Sequence, residues 1–293
     1  MTVGIVLGAG GPLGWAFHLG VIEGMREVLG VEPADADRII GTSAGGAIAA
    51  SLLSGATSDE VLASISAPMS DDDQAQMRGA FADVRSSKLR ALKPLAPGLA
   101  LTPWRRAPLV SAAGLLPAGV FPTFPLRRFP IGAIDGWPES LWIPSVRMDT
   151  GQLTVFGRDR RDIAVADALE ATSAVPGMFR PKQIDGVAHV DGAVASATHA
   201  DLLLTDRPDR VLVSSVMSRP GRRLGRIRAR RQLAAEVAAL RAAGTHVAVV
   251  EPDEALMALA EGFPRRNMQA GADIVAAARD TTIAALRPFR PVG

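Results

Sequence analysis

Residues 37–53 read DRIIGTSAGGAIAASLL: a β-branched pair, Ile39-Ile40, runs into Gly41-Thr42-Ser43-Ala44-Gly45 and then into an alanine-rich helical stretch. This is the G-x-S-x-G pattern in which a serine occupies a strained strand-to-helix turn that only small neighbours tolerate. Such a turn exposes the serine Oγ at the edge of a sheet. It also places it at the positive end of a helix, where the next N–H, from Ala44, can point at developing negative charge. The same seventeen residues also fit a plain tight turn in which Gly41 and Gly45 bend the chain and Ser43 caps a helix. The surrounding sequence has to choose between the two.

Upstream, VGIVLGAGGPLGWAFHLGVIEGM (residues 3–25) places Gly8, Gly10, Gly11 and Gly14 between a short apolar strand and a helix. Backbone N–H groups in such a loop can approach a negative group closely, with a helix N-terminus behind them. A dinucleotide fingerprint needs G-x-G-x-x-G, and Leu13 stands where its last glycine belongs. Asp35 or Asp37 would match a ribose-binding acid only by chance. Gly20 and Gly24, one turn apart in the helix, read as close packing of that helix on the sheet.

Short β-branched runs alternate with longer helical patterns along most of the chain, the sign of βαβ units and a mostly parallel sheet with helices on both faces. Strands are expected at 3–7, 38–40, 141–148, 153–156, 187–190, 210–216 and 246–250. Helices are expected at 15–29, 47–54, 165–172, 229–243, 254–259 and 268–286. At 293 residues and 48% apolar content the chain reads as a single domain, residues 1–293. The alternation stops at about 57–137, where LKPLAPGLALTPWRRAPLVSAAGLLPAGVFPTFPLRRFP (residues 92–130) mixes prolines, apolar residues and paired arginines. It is too apolar for a solvated tail and reads as an irregular Pro-rich insertion, either a lid over the functional edge or an irregular piece of core.

Composition narrows the chemistry. There are no cysteines, so disulfide frameworks, thiolate nucleophiles and thiolate-bound metals are excluded, and a reducing compartment fits. Nothing calls for a cofactor or a metal. The N-terminus runs directly into a strand and lacks the pattern of a secretory signal. No stretch reaches the ~20 apolar residues of a membrane span, so the protein is expected to be cytoplasmic, soluble or membrane-peripheral. Net charge is +2, and lysine is confined to Lys88, Lys93 and Lys182.

A nucleophilic serine needs a base. His18, in a helix, and His246, at a strand start, read as packing or surface residues. His199 follows Asp191 in the Ser, Asp, His order of α/β-hydrolases, and His189 would share a face with Asp191 on an extended strand. Asp191 itself can be the base only if a partly desolvated site raises it above its ordinary value near 3.9 and a short hydrogen bond joins it to Ser43 Oγ. Alternatively Asp191-Gly192 is a turn closing a strand. From the residues alone, a Ser43–His199–Asp191 triad, a Ser43–Asp191 pair and a non-catalytic nucleotide- or phosphate-binding α/β protein all stand.

Three segments together resemble the patatin-like phospholipase family: the loop GAGGPLG, the turn GTSAG, and EATSAVPGMFRPKQIDGVAHVDGAV at 170–194, whose SAVPGMF and VDGA carry the most specific likeness. The resemblance covers residues 3–54 and 140–216. It implies a patatin-like three-layer α/β fold and a serine acyl hydrolase acting on lipid or fatty-acyl esters. Carried onto this sequence, Ser43 is the nucleophile, Asp191 its base without any histidine, and the Gly10 and Gly11 N–H groups form the oxyanion hole. Where that family commonly has Arg or Lys this chain has Leu13, so headgroup recognition by that loop is not part of what the resemblance implies.

Finally, SRPGRRLGRIRARR (residues 218–231) gathers Arg219, Arg222, Arg223, Arg226, Arg228, Arg230 and Arg231 behind a strand. It reads either as a solvated helix start or as a contact with an anionic membrane. Without interleaved aromatics for base stacking, nucleic acid is not expected. Trp104, Phe121, Phe124 and Phe129 of the insertion, flanked by Arg105, Arg106, Arg127 and Arg128, are expected to supply the apolar half of that contact.

Overall fold

The computed structural model describes residues 1–68, 70–75, 78–79, 119, 121, 129–131, 134, 136–221, 224–263 and 270–289. Eight strands form one sheet: β1 (Val3–Leu7), β2 (Arg38–Gly41), β3 (Leu141–Arg147), β4 (Leu153–Phe156), β5 (Lys182–Ile184), β6 (Val187–Asp191), β7 (Arg210–Ser214) and β8 (His246–Val250). β3, β2, β1, β7 and β8 pair in parallel in that order, the parallel neighbours in the chain being joined by connections long enough to cross back over the sheet. β4 and β6 pair antiparallel with β3, and β5 with β6.

Side-chain alternation divides the core into two layers. Ile5, Leu7, Ile39, Leu212 and Ala248 face one side, against α1 (Gly11–Leu29), α2 (Ala44–Leu53), α3 (Ser58–Ser66), α4 (Val165–Thr172), α6 (Glu254–Leu259) and α7 (Ala270–Leu286). Val6, Ile40, Val211, Val213 and Val247 face the other, against Leu233, Val237 and Leu240 of α5 (Leu224–Ala242). The expected three-layer α/β fold with a mostly parallel sheet is therefore present.

Several local readings are corrected. α3 lies inside the stretch read as insertion: its Val61 and Ile65 are buried, and Thr57 caps it, accepting from the Glu60 N–H while Glu60 accepts from the Thr57 N–H. Gly20 and Gly24 pack not on the sheet but on α7. A Cβ at Gly20 would lie 2.2 Å from the Val275 carbonyl oxygen, and one at Gly24 2.7 Å from that of Arg279. Phe129 is buried, its ring edge-on to Trp15 at 5.2 Å, so it belongs to the core and not to an exposed apolar patch. Trp104, Arg105, Arg106, Phe124, Arg127, Arg128, Arg222 and Arg223 fall outside the described residues.

Candidate active site

The carboxyl ends of β1, β2, β7 and β8 share one edge of the sheet, and the loops leaving them build the site. After β1, Gly8 donates to the Ser214 carbonyl at 3.0 Å and Ala9 to the Ala197 carbonyl at 2.8 Å. Gly10 is the N-cap of α1, and a Cβ there would meet the Gly14 Cα at 2.7 Å. Gly11 has φ +56° with open space beside it. The Gly10, Gly11 and Ala44 N–H groups meet no acceptor among the described residues. They stand at the N-termini of α1 and α2, where partial positive charge collects. Leu13 packs against the apolar layer.

His18 braces this loop from within α1. Its Nε2 lies 2.7 Å from the Gly8 carbonyl oxygen and its Nδ1 2.6 Å from the Ser214 hydroxyl. A carbonyl only accepts, so Nε2 carries the proton and Ser214 donates to Nδ1. Burial holds the ring in this neutral form and pushes its pKa down to about 4.

The chain then makes the turn expected from GTSAG. Ser43 has φ 54° and ψ −117°, a region that non-glycine residues rarely enter, with α2 beginning at the next residue. The glycines permit the close approach: a Cβ on Gly45 would lie 1.9 Å from the Leu7 carbonyl oxygen, and one on Gly41 2.6 Å from the Gly46 Cα. The Ser43 N–H donates to Thr172 Oγ1 at 3.1 Å, and Thr172 donates to the Pro144 carbonyl at 2.6 Å.

β3 brings Asp191 to this turn. β2 pairs with its first part, Ile39 opposite Leu141 and Ile40 opposite Trp142. β6, running the other way, pairs with its last part, Asp191 opposite Ser145. The ends of β2 and β6 thus converge on the Ile143–Pro144 step. A Cβ on Gly192 would lie 2.4 Å from the Pro144 carbonyl oxygen and 3.3 Å from the Thr42 methyl, which explains the glycine after the aspartate.

Asp191 is 2% exposed. It accepts from the Ala193 N–H at 2.8 Å, and the Ser43 side chain lies near enough to favour its charged form. Desolvation outweighs both and raises its pKa to about 7. A carboxylate of that pKa, beside a serine hydroxyl, is suited to take a proton at neutral pH.

The histidines are engaged elsewhere. His189 Nδ1 lies 2.9 Å from the Ser145 hydroxyl, and burial lowers its pKa to about 4. His199, at φ 56°, places Nε2 3.0 Å from the Gly192 carbonyl and donates to it, so it braces the Asp-Gly turn. Burial lowers its pKa too. No hydrogen bond among the described residues joins either ring to Ser43 or Asp191. Nor does any cluster of three or more His, Asp or Glu among them form a metal site.

Residues overlooked in the sequence complete the frame. Glu236 of α5, buried, accepts from Ser196 and Thr198 hydroxyls at 2.6 Å and from the Ala200 N–H at 2.9 Å, fixing the segment that follows Asp191. Ala174 accepts from the Asp191 N–H at 3.0 Å. A buried glutamate in an Arg- and Ala-rich helix was the available signal for the first, and nothing short of tertiary contact identifies the second.

The sequence matches the patatin-like phospholipase family over residues 5–204. No curated protein matches it. Among solved structures, the chain is similar to VipD from Legionella pneumophila at 12% identity and a TM-score of 0.45, covering 98% of this chain and 66% of that one. It is also similar to the type III effector protein ExoU at 16% identity and a TM-score of 0.43, covering 98% and 53%. The chain thus spans less than two thirds of the length of the first and about half that of the second.

Proposed function

This chain belongs to the patatin-like phospholipase family, and we propose that it is a serine acyl hydrolase of lipid esters in which Ser43 and Asp191 act as a two-residue catalytic unit within one domain. The observation that carries this reading is the enclosed Asp191, 2% exposed and raised to about 7, beside the Ser43 side chain. Ser43 Oγ attacks the ester carbonyl carbon as its proton passes to Asp191. The Gly10 and Gly11 N–H groups hold the oxyanion, with Ala44 available as a third donor. As the tetrahedral adduct collapses, Asp191 returns the proton to the leaving alcohol and an acyl-Ser43 remains. Asp191 then takes a proton from water, which attacks the acyl carbon, and Ser43 regains its hydroxyl as the fatty acid leaves.

A triad through His199 is the weaker reading, because that ring's Nε2 is committed to the Gly192 carbonyl. A protein that only cradled a phosphate would have no use for a strained Ser43 or for a buried carboxyl whose ionisation is costly. The test is labelling with a fluorophosphonate probe. Wild type should be modified at Ser43 and a Ser43→Ala variant should not. Absence of wild-type labelling in folded protein would remove the acyl-enzyme.

The reading extends to a peripheral contact with an anionic membrane. No helix among the described residues is long and apolar enough to cross one. The connections around the site do expose apolar side chains. Val175 and Met178 follow Ala174, Met217 follows the Val216 that lies against Gly10, and Leu224, 85% exposed, opens α5. Arg226, Arg230 and Arg231 lie on the same first turns of that helix. These residues take the place assigned in the sequence to Phe129.

A further inference from the structure

We infer that Thr172 is a positioning residue for the nucleophile, its hydroxyl holding Ser43 in the strained conformation that aims Oγ at Asp191. This rests on the reading of Ser43 as the nucleophile. A threonine near a helix C-terminus ordinarily bonds back to a carbonyl of its own helix. Thr172, in the last turn of α4 and fully buried, instead reaches across to two other elements. Its proton goes to the Pro144 carbonyl on β3 at 2.6 Å, which leaves a lone pair facing the Ser43 N–H at 3.1 Å. The donor–acceptor order is fixed, because a carbonyl cannot donate and an amide N–H cannot accept. Its γ-methyl lies against Gly46, 3.4 Å from where a Cβ would stand, and holds the hydroxyl in that direction.

The arrangement matters because Ser43 sits at φ 54° and ψ −117°, and a residue stays in so sparsely populated a region only when its surroundings over-determine it. Gly46 and Ala47 donate to the Ser43 carbonyl, so that side of the residue is fixed by α2. The amide side is fixed by Thr172. Two residues further along, Ala174 accepts from the Asp191 N–H at 3.0 Å. The single segment Thr172-Ser173-Ala174 therefore ties down the backbone of both dyad members and sets the distance between them. Misplacement of a reacting atom by about 1 Å costs on the order of 100-fold in rate.

The test compares Thr172→Val, which keeps the shape and removes the hydroxyl, with Thr172→Ser, which keeps the hydroxyl. In folded Thr172→Val, kcat and the rate constant for fluorophosphonate modification of Ser43 should fall about 10-fold to 100-fold, with KM for a soluble ester unchanged. Thr172→Ser should remain within about threefold of wild type on both, well short of the loss expected for a misplaced group. Amide hydrogen exchange at Ser43 gives a readout independent of turnover: protected in wild type and in Thr172→Ser, fast in Thr172→Val. A Ser43 amide already unprotected in wild type overturns the inference whether or not the valine variant folds. So does wild-type modification of folded Thr172→Val, or a Thr172→Ser protein as impaired as Thr172→Val. Failure of the wild type itself to be labelled would instead sink the nucleophile assignment, so the two outcomes are separable.

Discussion

The Ser43 side chain lies beside the Asp191 carboxyl where almost no water reaches the acid, and burial lifts the pKa of Asp191 to about 7. Its base form is therefore populated only as pH rises through neutrality. In the acid form it cannot take the serine proton, so kcat/KM on a soluble ester should climb about tenfold per pH unit below 7 and level off above it. A profile flat from pH 5 to 9 would contradict Asp191 as the base.

The same shift predicts how stability depends on pH. The folded pKa, about 7, lies above that of the unfolded chain, near 3.8, so the folded protein holds the extra proton between those values. Stabilisation from this group is complete below about pH 4 and is lost as pH rises through 7. Asp191→Asn cannot ionise. At pH 8 it should melt several degrees above wild type, on the order of a few kcal/mol, and the gap should close towards pH 4. A lower melting temperature for Asp191→Asn at pH 8 would show that the buried charge is better compensated than its surroundings suggest.

Removal of either dyad member should abolish nearly all turnover. The Ser43→Ala/Asp191→Asn double variant should be little worse than either single one, since the two act on the same proton. His199→Ala should behave differently. It removes one hydrogen bond to the buried Gly192 carbonyl, which keeps the Ala195 and Ser196 N–H donors, at about 0.5–1.5 kcal/mol in stability, while activity at 25 °C persists. A folded His199→Ala enzyme as inactive as Ser43→Ala would restore the triad.

How much of this was legible beforehand follows from which residues carried local information. The β-branched runs Val3–Leu7, Arg38–Gly41 and His246–Val250 are parallel strands because they are buried on both faces, and buried runs advertise themselves. β5, Lys-Gln-Ile, is three residues long and two of them are polar, so it leaves no such trace. Helix starts were read late at α1, α2 and α5. Gly11, Pro12, Gly45, Gly46 and Gly225 look like loop residues, yet these helices begin within those stretches. The capping box of α3 at Thr57 and Glu60 was visible but was absorbed into the Pro-rich stretch that follows. Ser43 and Asp191 were legible as motifs. The enclosure that tunes Asp191, and the part played by Thr172, depend on three elements meeting at Pro144, which no local pattern encodes.

The two glycines assigned to the oxyanion hole should respond unequally to the same small change. A Cβ on Gly10 would sit 2.7 Å from the Gly14 Cα and 3.1 Å from the Val216 Cβ, so Gly10→Ala must displace the loop. Loss of a preorganised donor costs on the order of 10²–10³ in kcat, and Gly10→Ala should fall in that range. Gly11 has open space, and alanine there meets only the strain of φ +56°, about 1 kcal/mol. Its effect on kcat should be near tenfold or less. Equal kcat values for the two alanine variants would mean that the loop does not hold the oxyanion through its present geometry.

The last prediction concerns how a lipid ester would reach this edge of the sheet. Val175, Met178, Met217 and Leu224 are each at least 36% exposed and lie on the connections that leave the sheet around Ser43 and Asp191. Apolar groups placed there are poised to enter a headgroup layer, and the guanidinium groups of Arg226, Arg230 and Arg231 on α5 add attraction to anionic lipid, about 1 kcal/mol each near such a surface. Charge and apolar area act together, since one contribution alone gives only marginal binding. Sedimentation with liposomes should then rise with the anionic lipid fraction and weaken as salt screens the arginines. Arg226, Arg230 and Arg231 changed together to Gln should lose the salt-sensitive part of binding. Met178→Ser with Leu224→Ser should lose the salt-resistant part. Both variants should keep wild-type kcat on a soluble ester, because no hydrogen bond or ion pair among the described residues joins these side chains to Ser43, Asp191 or the glycine loop. Vesicle binding and vesicle hydrolysis unchanged in both variants would return this surface to ordinary solvent-facing structure.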